Sequence, residues 1–412
     1  MTDADTKPPP RQAAIWFIFV TLVLDAMAGG ISYPVLPALV QSLGHTDAAR
    51  AAEIFGIFGT LFFVMQFFAS PIQGALSDSF GRRPVILIST VGMVLDYVVM
   101  ALAPDLNWLY AGRLISGITA GSISAAFAYL IDVTPASDRT RIFGLAGAAM
   151  SVGTAVGPAL GGLAGTYDLR LPFWIAAGFG VLSALYGWLV LPESLKPETR
   201  AAFTWQRANP LTSMVGVVRD HPALIYWAVV IVLLNLAVMG VNSIYAVYVS
   251  YRYAWSPKDI GLYLTVFGVW SMGAQSLVVP FVIKRLNDRQ TMIAGTILMG
   301  LTIMAAGLSP FGYGYAAFAF FWVAGLVVGG AATNTLITEA VGPSDQGRVQ
   351  GAARSLNSVV GLVAPGLFAL ILAECIRTGG RPLSGVPYAL AGLLTLAGLV
   401  VSMRVTRPKS SA

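Results

Sequence analysis

Charge is scarce in this sequence. Asp, Glu, Lys and Arg together make up 11% of its 412 residues, where a soluble domain carries about a quarter. So little charge cannot build a water-solvated surface, and a soluble globular fold is excluded. Histidine is limited to His45 and His221, and cysteine to Cys375. A lone cysteine rules out an internal disulfide, and no His or Cys cluster has metal-ligand spacing, so no metal site is expected. The phosphate-cradling pattern G-x-x-x-x-G-K-[ST] does not occur, which argues against ATP hydrolysis within this chain. Nothing pairs a nucleophile with a base, so neither enzymatic activity nor a cofactor is expected. The start, MTDADTKPPPRQ, is polar and proline-rich. The apolar stretch behind it runs too long for a cleaved signal peptide.

What the sequence has instead is apolar length. Hydrophobic residues make up 56% of it, and the mean hydropathy is +0.74. They come in blocks of about 20 or more residues, enough to cross a bilayer core of about 30 Å at 1.5 Å per residue. Twelve spans are expected, near 13–40, 52–76, 84–103, 106–131, 142–166, 171–191, 223–250, 258–283, 290–309, 313–338, 348–374 and 385–403. The chain is therefore expected to be an all-α membrane protein, with the lipid bilayer as its partner and both termini on one side.

The basic residues orient it. Eighteen of the 25 Lys and Arg residues fall on the side of the termini, six on the other, and Arg113 lies inside a span. The positive-inside rule puts both termini in the cytoplasm. The net charge of +6 is then a topology signal, and no nucleic-acid partner is expected. The expected organisation is a cytoplasmic tail (1–12), a six-helix bundle (13–191), a cytoplasmic linker (192–222), a second six-helix bundle (223–403) and a tail (404–412). Within the linker, Asn209 and Pro210 read as an N-cap and first helical residue. Leu211, Met214, Val215 and Val218 then share one face, as in a helix lying on the membrane surface. An ordered linker without a function of its own is the alternative.

The two halves repeat. IDVTPASDRTRIFGLAG after span 4 matches TEAVGPSDQGRVQGAAR after span 10. Asp132 falls on Glu339, Ser137 and Asp138 on Ser344 and Asp345, Arg141 on Arg348, Gly144 on Gly351, Ser151 on Ser358 and Pro158 on Pro365, all at one offset. QFFASP (66–71) matches QSLVVP (275–280) at nearly the same shift. Such repeats recur in secondary transporters, whose substrate site lies between the halves near the midplane.

Between spans 2 and 3 stands GALSDSFGRRP (74–84). Gly74 and Gly81 allow a tight turn, and Asp78 is suited to a helix N-terminus and to pairing with Arg82 and Arg83. The stretch resembles the cytoplasmic loop between helices 2 and 3 of the major facilitator superfamily, matching at Gly74, Leu76, Asp78, Gly81, Arg82 and Arg83. Ser79 stands where many members have Arg. The resemblance implies a twelve-helix fold of two six-helix repeats and a cytoplasmic gate that latches the halves while the protein faces outward. The alternative is that the arginines only hold topology. In the second half the loop reads VIKRLNDRQ, so the latch is asymmetric.

Other stretches agree. LYAGRLISGITAG (109–121) resembles the family's helix-4 pattern, and LVLDAMAGGISYPVLP (22–37) its helix-1 pattern. GAAMSVGTAVGPALGG (147–162) resembles the helix-5 pattern associated with antiporters. There Gly153, Gly157 and Gly161 form a smooth strip for close packing, and Pro158 can bend the helix. Ordinary helix packing with no bearing on transport direction is the other reading of that strip. Nearly the whole chain resembles the drug:proton antiporters, in the tetracycline-efflux-like branch. Those pumps carry a His in helix 8 and an Asp in helix 9. Ser271 and Met299 stand there in this chain, which weighs against tetracycline itself.

Asp25, Asp96 and Arg113 lie within spans. Each costs about 2.5–3.5 kcal/mol at the bilayer centre, so they must face a cavity or one another. From the helical rise, Asp25 sits ~18 Å into span 1, near the midplane. Arg113 and Asp96 lie at matching depth, ~10 Å from the outer end. Asp25 is the leading candidate for proton coupling, since burial and the Arg113 charge pull on its proton in opposite senses. Asp96 is second. A static ion pair ordering the first half is the alternative for both.

A substrate surface is expected from Asn235, Met239, Asn242 and Tyr245 in span 7. To these are added Gln275, Asn334 and Asn357 in spans 8, 10 and 11, and Phe62, Phe63 and Gln66 in span 2. Amide and aromatic groups suit a small amphipathic organic substrate better than a bare ion, though polar residues also glue helices together. The expected function is proton-coupled efflux of an amphipathic or lipophilic compound by alternating access, by a monomer in a bacterial inner membrane. Two alternatives remain open. One is an uncoupled or importing metabolite carrier, and the other is a receptor or lipid-handling protein on a transport fold.

Overall fold

The computed structural model describes residues 10–135, 137–195, 197–205, 224–339 and 346–405. The expected surface helix after Asn209, His221 and the repeat residues Ser344 and Asp345 lie outside the described residues. Among the described residues every regular element is helical. Twelve helices are long and apolar enough to cross a membrane. Spans 1 to 6 are Ile15–Ser32, Ala48–Phe80, Arg82–Leu102, Leu106–Val133, Arg141–Ala164 and Leu171–Val190. Spans 7 to 12 are Ile225–Tyr253, Pro257–Ile283, Asp288–Leu308, Gly312–Glu339, Ser355–Leu383 and Val386–Arg404. In hydrocarbon every backbone polar group must be satisfied within the segment, which is why apolar runs of this length become helices.

Three spans are interrupted where one continuous helix was expected, each for a local reason. The stretch expected as one span to residue 40 breaks after Ser32. Tyr33–Val35 turn, and a separate helix runs Leu36–Gly44. Pro34 disfavours the helical conformation of the residue before it. Span 4 is interrupted at Ala120–Gly121. There the Gln73 amide from span 2 fills the space beside Gly121, and its Nε2 donates to the Ile118 carbonyl. In span 8 a wide turn at Ala274–Val278 precedes Pro280, whose ring carries no N–H for the ladder.

The chain divides into two compact units. Unit 1 is Met1–Leu39 with Met65–Asn209, and unit 2 is Val40–Val64 with Pro210–Ala412. Span 2 is one helix that contributes its first half to unit 2 and its second half to unit 1. In unit 1, span 1 packs on spans 5 and 6, and span 3 on spans 4 and 6. Phe17, Ile18, Leu22, Val85, Ile86, Tyr129 and Leu130 form a buried apolar cluster there.

In unit 2, span 9 packs on spans 10 and 12, and span 7 on spans 11 and 12. Spans 9 and 10 approach backbone to backbone, with Gly325 against the main chain of Gly295 and Met299. A connected set of buried rings joins Tyr248, Tyr315 and Tyr388, with Tyr253, Trp255 and Tyr263 at its margin. Arg252 holds this end of the unit together. Its guanidinium donates to the carbonyls of Ser309 and Arg381 and lies 6.0 Å from the Tyr248 ring centroid.

Candidate coupling and gating sites

Two polar sites lie in unit 1. The first is inside the membrane spans. Asp96 is 1% exposed, Asp25 9%, and the Arg113 side chain 15%. Arg113 Nη2 donates to Asp96 Oδ2 at 3.0 Å and Oδ1 at 3.3 Å, and to Met100 Sδ at 2.7 Å. Ser116, one turn along span 4, also hydrogen-bonds Asp96. The pair is close because Gly112 has no side chain: a Cβ there would stand 2.7 Å from Asp96 Oδ1. Arg113 Nε is buried and has no hydrogen-bond partner among the described residues. One donor of the guanidinium is thus left over beside the pair. Asp25 and Asp96 both lie within electrostatic reach of the Tyr97 hydroxyl, as does Arg113. The structure therefore places the three charges in one neighbourhood and gives Arg113 to Asp96.

The glycine strip of span 5 sets the position of Asp25. A Cβ on Gly153 would lie 2.5 Å from the Val23 carbonyl oxygen, and one on Gly157 2.5 Å from that of Met27. Gly161 meets the Ile31 main chain in the same way, and Pro158 packs against Gly30. Span 5 thus lies against the backbone of span 1 on both sides of Asp25. Close helix packing is what this strip does in the structure.

The second site is built on the loop between spans 2 and 3. Arg82 Nη1 donates to Asp78 Oδ1 at 2.5 Å and to Ser77 Oγ at 3.2 Å. Its Nε donates to Asp132 Oδ2 at 3.1 Å, and Ser194 Oγ donates to that same oxygen at 3.0 Å. Asp78 lies in the last turn of span 2, so it does not occupy a helix N-terminus as the sequence suggested. That place belongs to Glu193. Its carboxylate accepts the backbone N–H groups of Arg82 (2.9 Å), Arg83 (3.2 Å) and Leu195 (3.0 Å). Gly81 makes room for it with φ of 111°, a conformation that favours glycine. The Glu193 carboxyl group stands where a Cβ would be. Arg83 Nη2 donates to the Trp188 carbonyl at 2.7 Å, and Ala201 N–H to that of Asp78 at 3.1 Å. The segment after span 6 is thereby stitched onto the motif.

Gly74, expected at a tight turn, lies instead inside the continuous helix of span 2 with open space around it. In unit 2 the corresponding turn has a local device, a capping box of Asn287 and Gln290. Sequence reasoning missed Glu193 and the pairing role of Asp132. The available signal was an acid in LPES, right after span 6 in a basic loop system.

The expected substrate residues are divided between the two units. Gln66 belongs to unit 1 and the other nine to unit 2. Asn242, Gln275 and Asn334 are exposed. Asn235 spends its amide donor on the Ile231 carbonyl of its own helix, at 2.9 Å. Tyr245 is buried, with its ring 6.4 Å from that of Tyr263. Phe62 and Phe63 meet edge to face at 5.3 Å. Met239 and Asn357 are half-buried, and the Asn357 carbonyl oxygen has no hydrogen-bond partner among the described residues. Among the described residues, no group of three or more His, Cys, Asp or Glu could hold a metal ion.

The chain is similar to known proteins in sequence and fold. The class C tetracycline resistance protein of Escherichia coli is 34% identical over 368 residues, 89% of this chain and 91% of the relative. The class H protein of Pasteurella multocida is 32% identical over 402 residues, 96% and 98% of the two chains. Among solved structures, the human organic anion transporter MFSD10 (TETRAN) aligns with a TM-score of 0.67 and 24% identity, covering 95% of this chain and 99% of its own. The nucleoside transporter NupG aligns with a TM-score of 0.75 and 13% identity, covering 96% and 100%. The family model of the Major Facilitator Superfamily matches residues 18–365. With twelve spans, the spans 2–3 loop motif and these matches along nearly its whole length, the chain belongs to the Major Facilitator Superfamily.

Proposed function

We propose that this transporter exports an amphipathic organic compound in exchange for protons, from a bacterial inner membrane with both termini in the cytoplasm, acting as a monomer. The drug class follows from the tetracycline resistance relatives. Ser271 and Met299, in place of the His and Asp of that branch, favour a substrate other than tetracycline.

The observation that carries the proton coupling is the burial of two carboxyl groups within the spans, Asp25 and Asp96, with Arg113 bonded to Asp96. Asp96 neutralises Arg113 within the spans. Asp25 carries the proton, and the spare Arg113 donor receives either the Asp25 carboxylate or the substrate as access alternates. A proton entering down 100 mV supplies about 2.3 kcal/mol, enough for a concentration ratio of roughly 50-fold. The loop cluster of Asp78, Arg82 and Arg83 acts as the cytoplasmic latch, and the span 5 glycine strip keeps span 1 straight beside it. The amide and aromatic residues of spans 2, 7, 8, 10 and 11 contact the substrate.

The test is uptake of a compound panel into everted vesicles by wild type and Asp25→Asn. The substituted protein is expected to lose pH-gradient-driven uptake and to keep substrate binding. Undiminished driven uptake removes Asp25 from the coupling role.

A further inference from the structure

Glu53 stands in the second turn of span 2, and each of its carboxylate oxygens is taken by a different arginine. Oε2 accepts from Arg50 Nη1 at 2.6 Å, within the same helix. Oε1 accepts from Arg377 Nη2 at 2.6 Å, on span 11. Below this trio the two spans run antiparallel in close contact. A Cβ on Gly59 would stand 2.7 Å from Pro365 Cβ, and one on Gly361 2.6 Å from the Phe63 ring. Gly56 meets Ala369 closer still. Residues 53, 56, 59 and 63 recur at helical spacing, so they form one face. All of these residues belong to unit 2, while the same span continues into unit 1 from Met65 onward.

Two features mark this seam as one that opens. Glycines line much of it, and the arginine side of its ion pair is open to water: Arg377 is 46% exposed and Glu53 13%. Water competes for such a pair, so its strength is modest. Next, the Thr60 hydroxyl is buried at the seam, beside Gly366, with no hydrogen-bond partner among the described residues. A buried hydroxyl without a partner is costly and is relieved when water reaches it.

We propose that Glu53 and Arg377 form a releasable clasp that closes the outer end of the seam between spans 2 and 11, and that its breaking admits solvent to the seam during transport. This rests on the transport reading and on its membrane orientation, and it adds an outer closure to the cytoplasmic latch of the spans 2–3 loop.

The test uses the full chain in intact cells, with Cys375→Ser and Thr60→Cys as the labelling background. A membrane-impermeant maleimide is the probe. E53Q and R377Q are each expected to speed labelling of the introduced thiol roughly 2- to 5-fold, in keeping with a part-exposed pair. R50Q, which leaves the link between spans intact, is expected to have less effect. The triple exchange R50E/E53R/R377E inverts every charge and keeps both bonds, so it should return the rate toward the parent. Unchanged rates in E53Q and R377Q overturn the clasp, as does an equal rise in R50Q or no return in the triple exchange. Tyr313→Cys, an exposed residue at the start of span 10 at the same end, reads sidedness separately. If it is unlabelled from outside, the orientation fails, and the clasp is still judged by labelling from the side that reaches it.

Discussion

Replacing Glu193 by Gln tests whether the segment after span 6 holds the spans 2–3 loop. The carboxylate accepts three backbone N–H groups, at 2.9, 3.2 and 3.0 Å. Hydrogen bonds to a charged partner contribute about 1.5–3 kcal/mol each, against about 1 for neutral ones. Gln keeps one acceptor oxygen but turns an NH2 group toward the Arg83 N–H, so that bond is lost and the others weaken. The negative charge at the start of span 3 also disappears, costing a further ~0.3–1 kcal/mol. Glu193 is only half-buried, so water replaces part of these losses, and local stability should fall by about 2–3 kcal/mol, which corresponds to an opening equilibrium raised roughly 30- to 150-fold. Hydrogen exchange of the detergent-solubilised protein reads this directly: the Arg82 and Arg83 amides should lose protection by that factor, while amides of span 9 keep theirs. Glu193→Ala should do at least as much. Protection at Arg82 and Arg83 within about threefold of the parent would refute the reasoning, because the three bonds would then carry no weight.

Removing Arg113 alone (Arg113→Ala) should leave the buried Asp96 carboxyl uncompensated and cost about 3–5 kcal/mol. Thermal unfolding of that variant should be clearly lowered, and the pair Arg113→Leu with Asp96→Asn should recover much of the loss. Gly157→Ala puts a methyl group 2.5 Å from the Met27 carbonyl. It should push span 5 off span 1 at about 1–3 kcal/mol and reduce transport, measured as driven uptake in vesicles, whereas an alanine at Gly74, which has open space, should be tolerated. Asp78→Asn weakens its bond to Arg82 and should lower transport turnover more than substrate binding. Equal loss of both, by parallel uptake and equilibrium binding measurements, counts against a latch.

Much of this molecule could be read locally. A bilayer imposes its demand on each segment separately: about 20 apolar residues that satisfy their own backbone. Twelve such segments, the basic bias of alternate loops and the repeated stretches around Asp132 and Glu339 were therefore visible without coordinates. Breaks inside segments were less legible. The turn at Tyr33–Val35 had Pro34 as its signal, but the interruption at Gly121 depends on Gln73 arriving from another helix.

The sequence by itself determined the membrane class, the number of spans and the family motif at residues 74–83, because each follows from composition, spacing along one helix or a contiguous pattern. Only the tertiary structure decided that Arg82 pairs with Asp132 as well as Asp78, that Glu193 rather than Asp78 caps span 3, that Arg113 bonds Asp96, and that Glu53 meets Arg377. Those partners are 17 to 324 positions apart. A charged group's partner is set by which helix faces converge, and that is a property of packing, not of any one segment.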